Sequence, residues 1–295
     1  MKISFWGVRG SIPSPGGKTV RYGGNTTCIA IETEDGELII LDAGTGIFGL
    51  AQTLVKRLPV KCSLFLTHTH WDHIQGLPFF APFFIPKNLI HIYGALSPVS
   101  AQSIKHVIET QMEYCYFPVR VAELAAEIEY TTLRERQAVA IGKTKVTGIL
   151  MNHPNLGFGY RIECDGKSVF FTGDHEPLYN IYGPEDDYYE EYESLIAEKN
   201  RLLADFVRGV DVLIADAAYT AEEYPLKKGW GHGTFESCLS LAYETGAKSL
   251  YLTHHEPLRS DDQLDAISRI LKEQYAPGSG TIPCVIAYEG LEINL

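Results

Sequence analysis

The sequence THTHWDHIQG at residues 67–76 crowds four ligand-type side chains into one turn: His68, His70, Asp72 and His73. His68 and His70 end an apolar segment that reads as a strand, where alternation sends both side chains to one side of the backbone. Because a metal ion needs about four ligands, crowding prevents one ion from using all four of these residues. The motif therefore predicts two neighbouring ions, about 3.5–4 Å apart, that share a bridging water.

The remaining ligands are expected at other strand ends, where loops converge on one edge of the fold. His153 follows VTGILMN, Asp174 follows SVFFTG, and the pair His254 and His255 follows SLYLT. Most of the histidines lie beside a predicted strand end or a glycine turn, namely His68, His70, His73, His153, His232, His254 and His255. A set with this distribution favours a metal centre over isolated structural histidines.

Short apolar segments and helical periodicity alternate along the chain. Hairpins are expected at Asp35-Gly36 and Asp165-Gly166, which argues against a purely parallel sheet. Thr234 is a plausible helix N-cap and Gly246 a plausible C-cap. The pattern predicts one layered α/β domain over residues 1–295. The helices are predicted at residues 45–57, 97–112, 187–208, 234–245 and 261–273.

The segment at residues 177–208 stands apart because it contains an acidic, tyrosine-rich stretch, YGPEDDYYEEYESLIAEKN. Such a stretch is either a solvated helix face or a lid or contact insertion.

The formal net charge of −12 argues against a protein that grips extended nucleic acid through a basic face. It leaves room for a small phosphorylated substrate, because a metal ion supplies local positive charge. No segment approaches the roughly 18 apolar residues of a membrane span. The start of the chain, MKISFWGVRG, lacks the features of a secretory signal, so a cytoplasmic protein without a membrane partner is predicted.

Five short motifs resemble those of the metallo-β-lactamase-fold superfamily of metal-dependent hydrolases. They are LDAGTG at 41–46, HTHWDH at 68–73, NHP at 152–154, TGD at 172–174 and LTH at 252–254. The resemblance implies an αββα sandwich, in which two mixed sheets are flanked by helices and the site lies on one edge.

The same resemblance implies a role for each ligand-type residue. One ion is held by His68, His70 and His153, and the other by Asp72, His73 and His254, while Asp174 bridges the two. Asp42 orients a ligating histidine. His254 is favoured over His255, which then lines the pocket. Imidazole and carboxylate ligands suit two divalent ions of zinc or manganese, or of iron.

A metal-bridging hydroxide, with Asp72 among the catalytic residues, is suited to the hydrolysis of phosphodiesters, lactones, thioesters or β-lactams. The GWGHGT segment at 229–234 resembles a loop of tRNase Z and of phosphoribosyl cyclic phosphate phosphodiesterases, which implies that His232 contacts the phosphate or protonates the leaving oxygen. Asp216 pairs with His232, lines the site or has a structural role. Arg9 and Arg21 lie in glycine-rich loops, where they either approach a phosphate or have a surface or packing role.

A phosphodiesterase acting on a small or cyclic phosphodiester is the favoured interpretation, with a tRNase Z-like nuclease and a lactone or thioester hydrolase as alternatives. Two aromatic-rich loops, at 77–86 and 112–119, either stack a base or belong to the core or a homodimer interface. Their rings are Phe79, Phe80, Phe83, Tyr114, Tyr116 and Phe117.

Overall fold

Two seven-stranded mixed sheets pack face to face in the computed structural model, which describes residues 1–96, 101–274 and 281–295. Residues from both sheets form a central apolar layer, and each sheet has a second apolar layer beneath the helices on its outer face. The strand β2 (Cys28–Glu32) shows how the sequence builds this arrangement: Ile29 and Ile31 face the other sheet, whereas Cys28 and Ala30 face the helices. The predicted αββα sandwich is therefore confirmed.

The first sheet has the strand order β14-β1-β2-β3-β4-β5-β6. Its β14-to-β3 pairs are antiparallel and its β3-to-β6 pairs are parallel. Its strands are β1 (Lys2–Gly7), β2 (Cys28–Glu32), β3 (Leu38–Leu41), β4 (Lys61–Phe65), β5 (Leu89–Ala95), β6 (Glu127–Leu133) and β14 (Glu292–Asn294).

The second sheet has the order β13-β12-β11-β10-β9-β8-β7 and repeats the same plan, with antiparallel pairs from β7 to β10 and parallel pairs from β10 to β13. The sequence suggested neither this structural repeat nor the edge strands β6 and β7. The strands are β7 (Ala138–Ile141), β8 (Thr144–Met151), β9 (Gly157–Cys164), β10 (Lys167–Phe171), β11 (Val212–Asp216), β12 (Leu250–Thr253) and β13 (Cys284–Ile286).

Helices cover the outer faces at nearly the predicted positions, although residues 97–100 of one prediction lie outside the described residues. The predicted caps of α5 are confirmed: the Thr234 side chain accepts a hydrogen bond from the Ser237 amide, and Gly246 ends the helix with φ of 65°. The helices are α1 (Gly46–Leu54), α2 (Trp71–Ile74), α3 (Ile104–Gln111), α4 (Tyr189–Val207), α5 (Phe235–Thr245) and α6 (Asp261–Gln274). Within the described residues, no helix combines the length and the apolar character needed to cross a membrane.

The acidic segment contains α4, which buries Leu203 and Val207 in the outer apolar layer of the second sheet. Its first turn carries Glu190 and Glu191. Residues 177–188 before the helix have no regular helix or strand structure and are partly or fully exposed.

Candidate metal centre

The candidate ligands lie where strands end on one edge of the sandwich. His68 and His70 follow β4, and the short helix α2 then presents Asp72 and His73. The second sheet supplies single residues after or at the ends of its strands: His153 after β8, Asp174 after β10, Asp216 at the end of β11 and His254 after β12. This arrangement brings together all seven residues that the sequence suggested as metal ligands.

One group contains His68, His70, His153 and Asp174, each of which offers a ligand atom within 4.8 Å of the others. Asp174 Oδ2 lies 3.5 Å from His68 Nε2 and 3.9 Å from His153 Nε2. His153 Nε2 also lies 3.1 Å from His70 Nδ1. Three ring nitrogens and a carboxylate oxygen thus converge on one small volume, as the ligands of a single ion do.

A second group contains Asp72, His73, Asp174 and His254, and it uses the other oxygen of Asp174. Asp174 Oδ1 lies 3.1 Å from His73 Nε2 and 3.2 Å from His254 Nε2. Asp72 Oδ2 is 3.3 Å from each of the same two nitrogens. Asp174 therefore stands between the groups with one oxygen toward each.

Buried polar atoms without partners provide a test of whether these residues fit metal ions. In the described part of the chain, His68 Nε2, His73 Nε2 and Asp174 Oδ1 are buried and form no hydrogen bond. Unpaired buried polar atoms are rare because each one costs free energy. Their convergence on the two groups fits an ion at each, since metal coordination would use all three atoms.

The protonation preferences of three ligands, His68, His153 and Asp174, agree with that fit. Burial lowers the pKa of His68 and of His153 below the ordinary histidine value, and the charge of His73 lowers that of His68 further. The pKa of Asp174 is also lowered, because the imidazoles of His254 and His73 outweigh the opposite effect of burial. Neutral imidazoles and an ionised carboxylate are the forms that bind a metal ion.

Asp42 fixes the orientation of His73. Its Oδ2 lies 2.7 Å from His73 Nδ1, and its Oδ1 accepts a hydrogen bond from the Thr67 amide at 2.7 Å. Asp42 is fully buried and has φ of 59°, a left-handed conformation that aspartate tolerates better than most residues. The contact leaves His73 Nε2 facing the second group. Asp72 has its own backbone partner, because the Ser11 amide donates to its Oδ2 at 2.7 Å.

The loop at 229–234 contacts His153 of the first group and contributes His232 to a third group of potential ligands. Gly231 O lies 3.0 Å from His153 Nδ1, which leaves Nε2 of that ring toward Asp174. His232 Nδ1 is 2.9 Å from Asp216 Oδ2, and the His232 ring stacks on that of His254 with centroids 4.6 Å apart. The third group of potential ligands is formed by Asp174, Asp216, His232 and His254.

Residues 38–255 match the family described as the beta-lactamase superfamily domain. The chain belongs to this superfamily. Ribonuclease Z of Bacillus subtilis (strain 168) is 24% identical over 335 residues, and the match covers 100% of this chain and 99% of that protein.

The chain of this superfamily member is similar in structure to Zn(2+)-bound PqqB from Methylobacterium extorquens. The TM-score is 0.68 at 14% identity, and the match covers 100% of both chains. A diphosphatase of the PhnP family matches with a TM-score of 0.64 at 16% identity, covering 100% of this chain and 97% of that chain. At these identities the structural matches establish the fold. The resemblance inferred from the sequence motifs, and with it the assignment to a superfamily of hydrolases, is confirmed.

Two arginines of this beta-lactamase superfamily member contact other parts of the chain rather than the ligand groups. Arg9 is fully buried, and its guanidinium donates to the carbonyl oxygens of Gly23 and Arg259, so it cannot reach a substrate. Arg21 is half exposed, but it forms ion pairs at 2.6 and 2.8 Å with Asp262 and Asp265 at the start of α6. Both arginines tie the N-terminal loops to the C-terminal part of the chain.

His255 is also separated from the ligand groups. Its Nε2 lies 2.8 Å from Ala287 O, and burial lowers its pKa to about 3, so it is a neutral buried residue. The adjacent His254 has φ of 59°, which turns its ring into the second group. In the aromatic loops, Phe80 and Phe83 are buried in the core, whereas Phe79, Tyr114 and Tyr116 are exposed.

Two partners of the site were not anticipated from the sequence. The Gly231 carbonyl that contacts His153 is a backbone group, and no side-chain pattern indicates it. Glu176 is 2% exposed and accepts hydrogen bonds from the loop that carries His232. Its position two residues after the TGD motif was the available signal.

Proposed function

We propose that the chain is a dinuclear metal-dependent phosphodiesterase that acts on a small or cyclic phosphodiester. The observation that carries the proposal is the His232–Asp216 pair beside the shared carboxylate. His232 Nδ1 lies 2.9 Å from Asp216 Oδ2 and 3.9 Å from Asp174 Oδ2. A paired imidazole at this position supplies the proton that a poor alkoxide leaving group needs.

Two divalent ions, zinc or manganese or iron, would occupy the two ligand groups. His68, His70 and His153 would hold one, Asp72, His73 and His254 the other, and Asp174 both. When bound, such ions activate water for attack and offset the negative charge of the phosphodiester. We include Asp72 among the catalytic residues because its carboxylate lies between the two imidazoles of the second group.

His232 acts in this proposal as the general acid. Asp216 Oδ2 accepts from His232 Nδ1 at 2.9 Å and from the His175 amide at 3.0 Å, so the carboxylate is held in place while it orients the ring. Occupation of Nδ1 leaves His232 Nε2 as the nitrogen that can donate to a leaving oxygen. This division of roles follows the general pattern in which a carboxylate fixes the tautomer of a catalytic histidine.

A cleft of about 200 Å³ beside His153 is the proposed position of the leaving group. The residues that line it include Leu178, Tyr179, Ile181, Gly229 and Gly231. We place the lid function suggested by the sequence in residues 177–188, which border this cleft. Its small volume and the net charge of −12 favour a small substrate.

The test is hydrolysis of bis(p-nitrophenyl) phosphate by protein loaded with Zn²⁺ or Mn²⁺. We expect Asp174→Ala and His232→Ala to lose activity, while His106→Ala, which removes an exposed histidine of α3, retains it. A parallel screen of cyclic nucleotides, a lactone and a thioester assigns the substrate class. Equal turnover by the wild type and the Asp174 variant would exclude the proposal, and preferential turnover of the lactone or thioester would favour that alternative.

A ribonuclease Z-like nuclease is the second candidate, and the end-to-end match to ribonuclease Z of Bacillus subtilis favours it. The test is cleavage and binding of a precursor tRNA at several salt concentrations. A nuclease that grips RNA loses affinity steeply with salt, because each phosphate contact releases counterions. Cleavage with a steep salt dependence would support this candidate, and weak binding that is insensitive to salt would exclude it.

A further inference from the structure

Glu176 is a buried carboxylate that accepts hydrogen bonds from a loop and forms no ion pair with a lysine or arginine of the described residues. Its Oε1 accepts hydrogen bonds from Tyr224 Oη at 2.7 Å and from the Gly229 amide at 2.8 Å, and its Oε2 accepts one from the Gly231 amide at 2.9 Å. Three donors therefore provide the stabilisation that a buried carboxylate requires.

The loop that Glu176 holds carries two groups of the candidate site. Gly231 accepts a hydrogen bond from His153 through its carbonyl, and the next residue is His232. The backbone of Glu176 is itself tied to the residue before His153, because its amide donates to Asn152 O at 2.9 Å. Glu176 thus connects the end of β8 to the loop at 229–234.

The loop has little freedom to take another position without losing these contacts. Gly229 and Gly231 have φ of 87° and 89°, a region that favours glycine. A Cβ atom at Gly231 would lie 2.3 Å from His153 Nδ1, so the backbone is in close contact with the ring. A small shift of the loop would therefore displace His153, His232 or both.

We propose that Glu176 is a positioning residue, which acts through the loop at 229–234 to fix His153 for metal binding and His232 for proton donation. The part that concerns His232 rests on the phosphodiesterase function proposed above. The part that concerns His153 does not, because it is expressed in metal affinity.

The first measurement is metal affinity, determined by competition between Zn²⁺ or Mn²⁺ and a chelator. Glu176→Gln keeps the side-chain volume but places an amide group opposite backbone donors. We expect it to bind one of the two ions about 10–100-fold more weakly, the range typical for partners that orient metal ligands. Glu222→Gln, at an exposed carboxylate of a nearby turn, is the matched control and should behave as the wild type.

The second measurement follows the loop itself through Trp230, which is 57% exposed and stands between the two glycine amides that Glu176 binds. Its ring lies under Lys227 Nζ, 4.1 Å from the centroid. Acrylamide quenching of tryptophan fluorescence is compared between wild type and Glu176→Gln. The same two proteins with Trp230→Phe report only the other tryptophans, and subtracting their signal isolates the quenching of Trp230. We expect Glu176→Gln to change the quenching of Trp230, whereas Glu222→Gln should not.

The third measurement is kcat for aryl methyl phosphates whose leaving phenols differ in pKa. If His232 is displaced, Glu176→Gln should lose most activity on the poorest leaving groups, by about 100-fold or more, and the dependence of log kcat on the phenol pKa should steepen. A merely structural defect would lower all rates by a similar factor.

Wild-type metal affinity and Trp230 quenching in Glu176→Gln would overturn the proposal. If the wild type hydrolyses no phosphodiester, the phosphodiesterase function fails while the first two measurements still decide the role of Glu176. Should the amide variant fold poorly, Glu176→Asp retains the charge, and the same two measurements apply to it.

Discussion

The two sheets contribute to the candidate metal centre in different ways. The first sheet supplies His68, His70, Asp72 and His73 from a single strand end and the short helix after it. The second sheet supplies one residue from each of several strand ends, which are separated by long stretches of chain. The groups that orient the histidines differ as well: a buried side chain, Asp42, holds His73, whereas a backbone carbonyl of Gly231 holds His153.

This difference shows which part of the sequence determines the positions of the ligands from each sheet. The first half, which is the set of ligands from the first sheet, is determined by local sequence. Its four ligands lie within residues 68–73 and are therefore close together in any fold. The second half depends on the parallel pairing of β10, β11 and β12, which aligns their carboxyl ends, and on the loop at 229–234. Variants that act on one half alone can separate the two contributions.

The largest effect is expected at Asp174, whose carboxylate has one oxygen toward each ligand group. Asp174→Ala should weaken binding of both ions and reduce activity by more than about 100-fold, the upper limit for residues that only orient ligands. Metal content by mass spectrometry and phosphodiester hydrolysis measure the two effects. Retention of two ions per chain by this variant would show that neither ligand group needs the shared carboxylate.

A smaller effect, confined to the ion of the second ligand group, which contains His73, is expected for Asp42→Asn. The amide places a donor opposite either the Thr67 amide or His73, so we expect affinity for one ion to fall about 10–100-fold. Asparagine tolerates the φ of 59° at this position, which makes it a cleaner change than alanine. Chelator competition measures the affinity, and equal weakening of both ions would argue against a role limited to His73.

The corresponding change for the ligands from the second sheet is Gly231→Ala, which affects His153. Gly209→Ala is the matched control, because both glycines have positive φ, 89° and 69°, but only at Gly231 does a new Cβ meet His153. Both variants should lose about 1 kcal/mol of stability from the strained backbone. Gly231→Ala alone should also weaken metal binding, which chelator competition measures. If Gly209→Ala weakens it equally, the contact with His153 is not the cause.

The same contrast explains how much could be predicted from the sequence. The superfamily and the sandwich fold were predictable because HTHWDH, TGD and the strand ends are local patterns. The caps of α5 were predictable for the same reason. The sequence did not decide between a phosphate contact and a packing role for Arg9, because a buried arginine that donates to distant carbonyls resembles, in sequence, one in a binding loop. The hydrogen bonds of Gly231 with Glu176 and with His153 join residues more than 50 positions apart, which no short motif records.

The smallest effect on the site is expected at Asp211, which lies at the opposite end of the second sheet from the candidate ligands. It accepts hydrogen bonds from Lys248 Nζ at 2.7 Å and from the Ser168 amide at 2.8 Å, and so connects the starts of the strands whose far ends carry Asp174, Asp216 and His254. Burial alone raises the pKa of Asp211, but these hydrogen bonds outweigh it and lower the pKa below the ordinary aspartate value. Asp211→Asn should therefore cost about 1–2 kcal/mol of stability at neutral pH.

The sign of the pH dependence follows from that lowered pKa. The contribution of Asp211 is fully present above the unfolded-state value of about 3.9 and is lost as the pH falls through the folded-state value. Denaturant unfolding should show the difference between Asp211→Asn and wild type at pH 7, and the difference should shrink below about pH 4. Metal affinity should stay unchanged, since the strand starts stabilise the sheet while the strand ends position the ligands. A loss of metal binding in this variant would instead mean that the two ends of the second sheet are coupled.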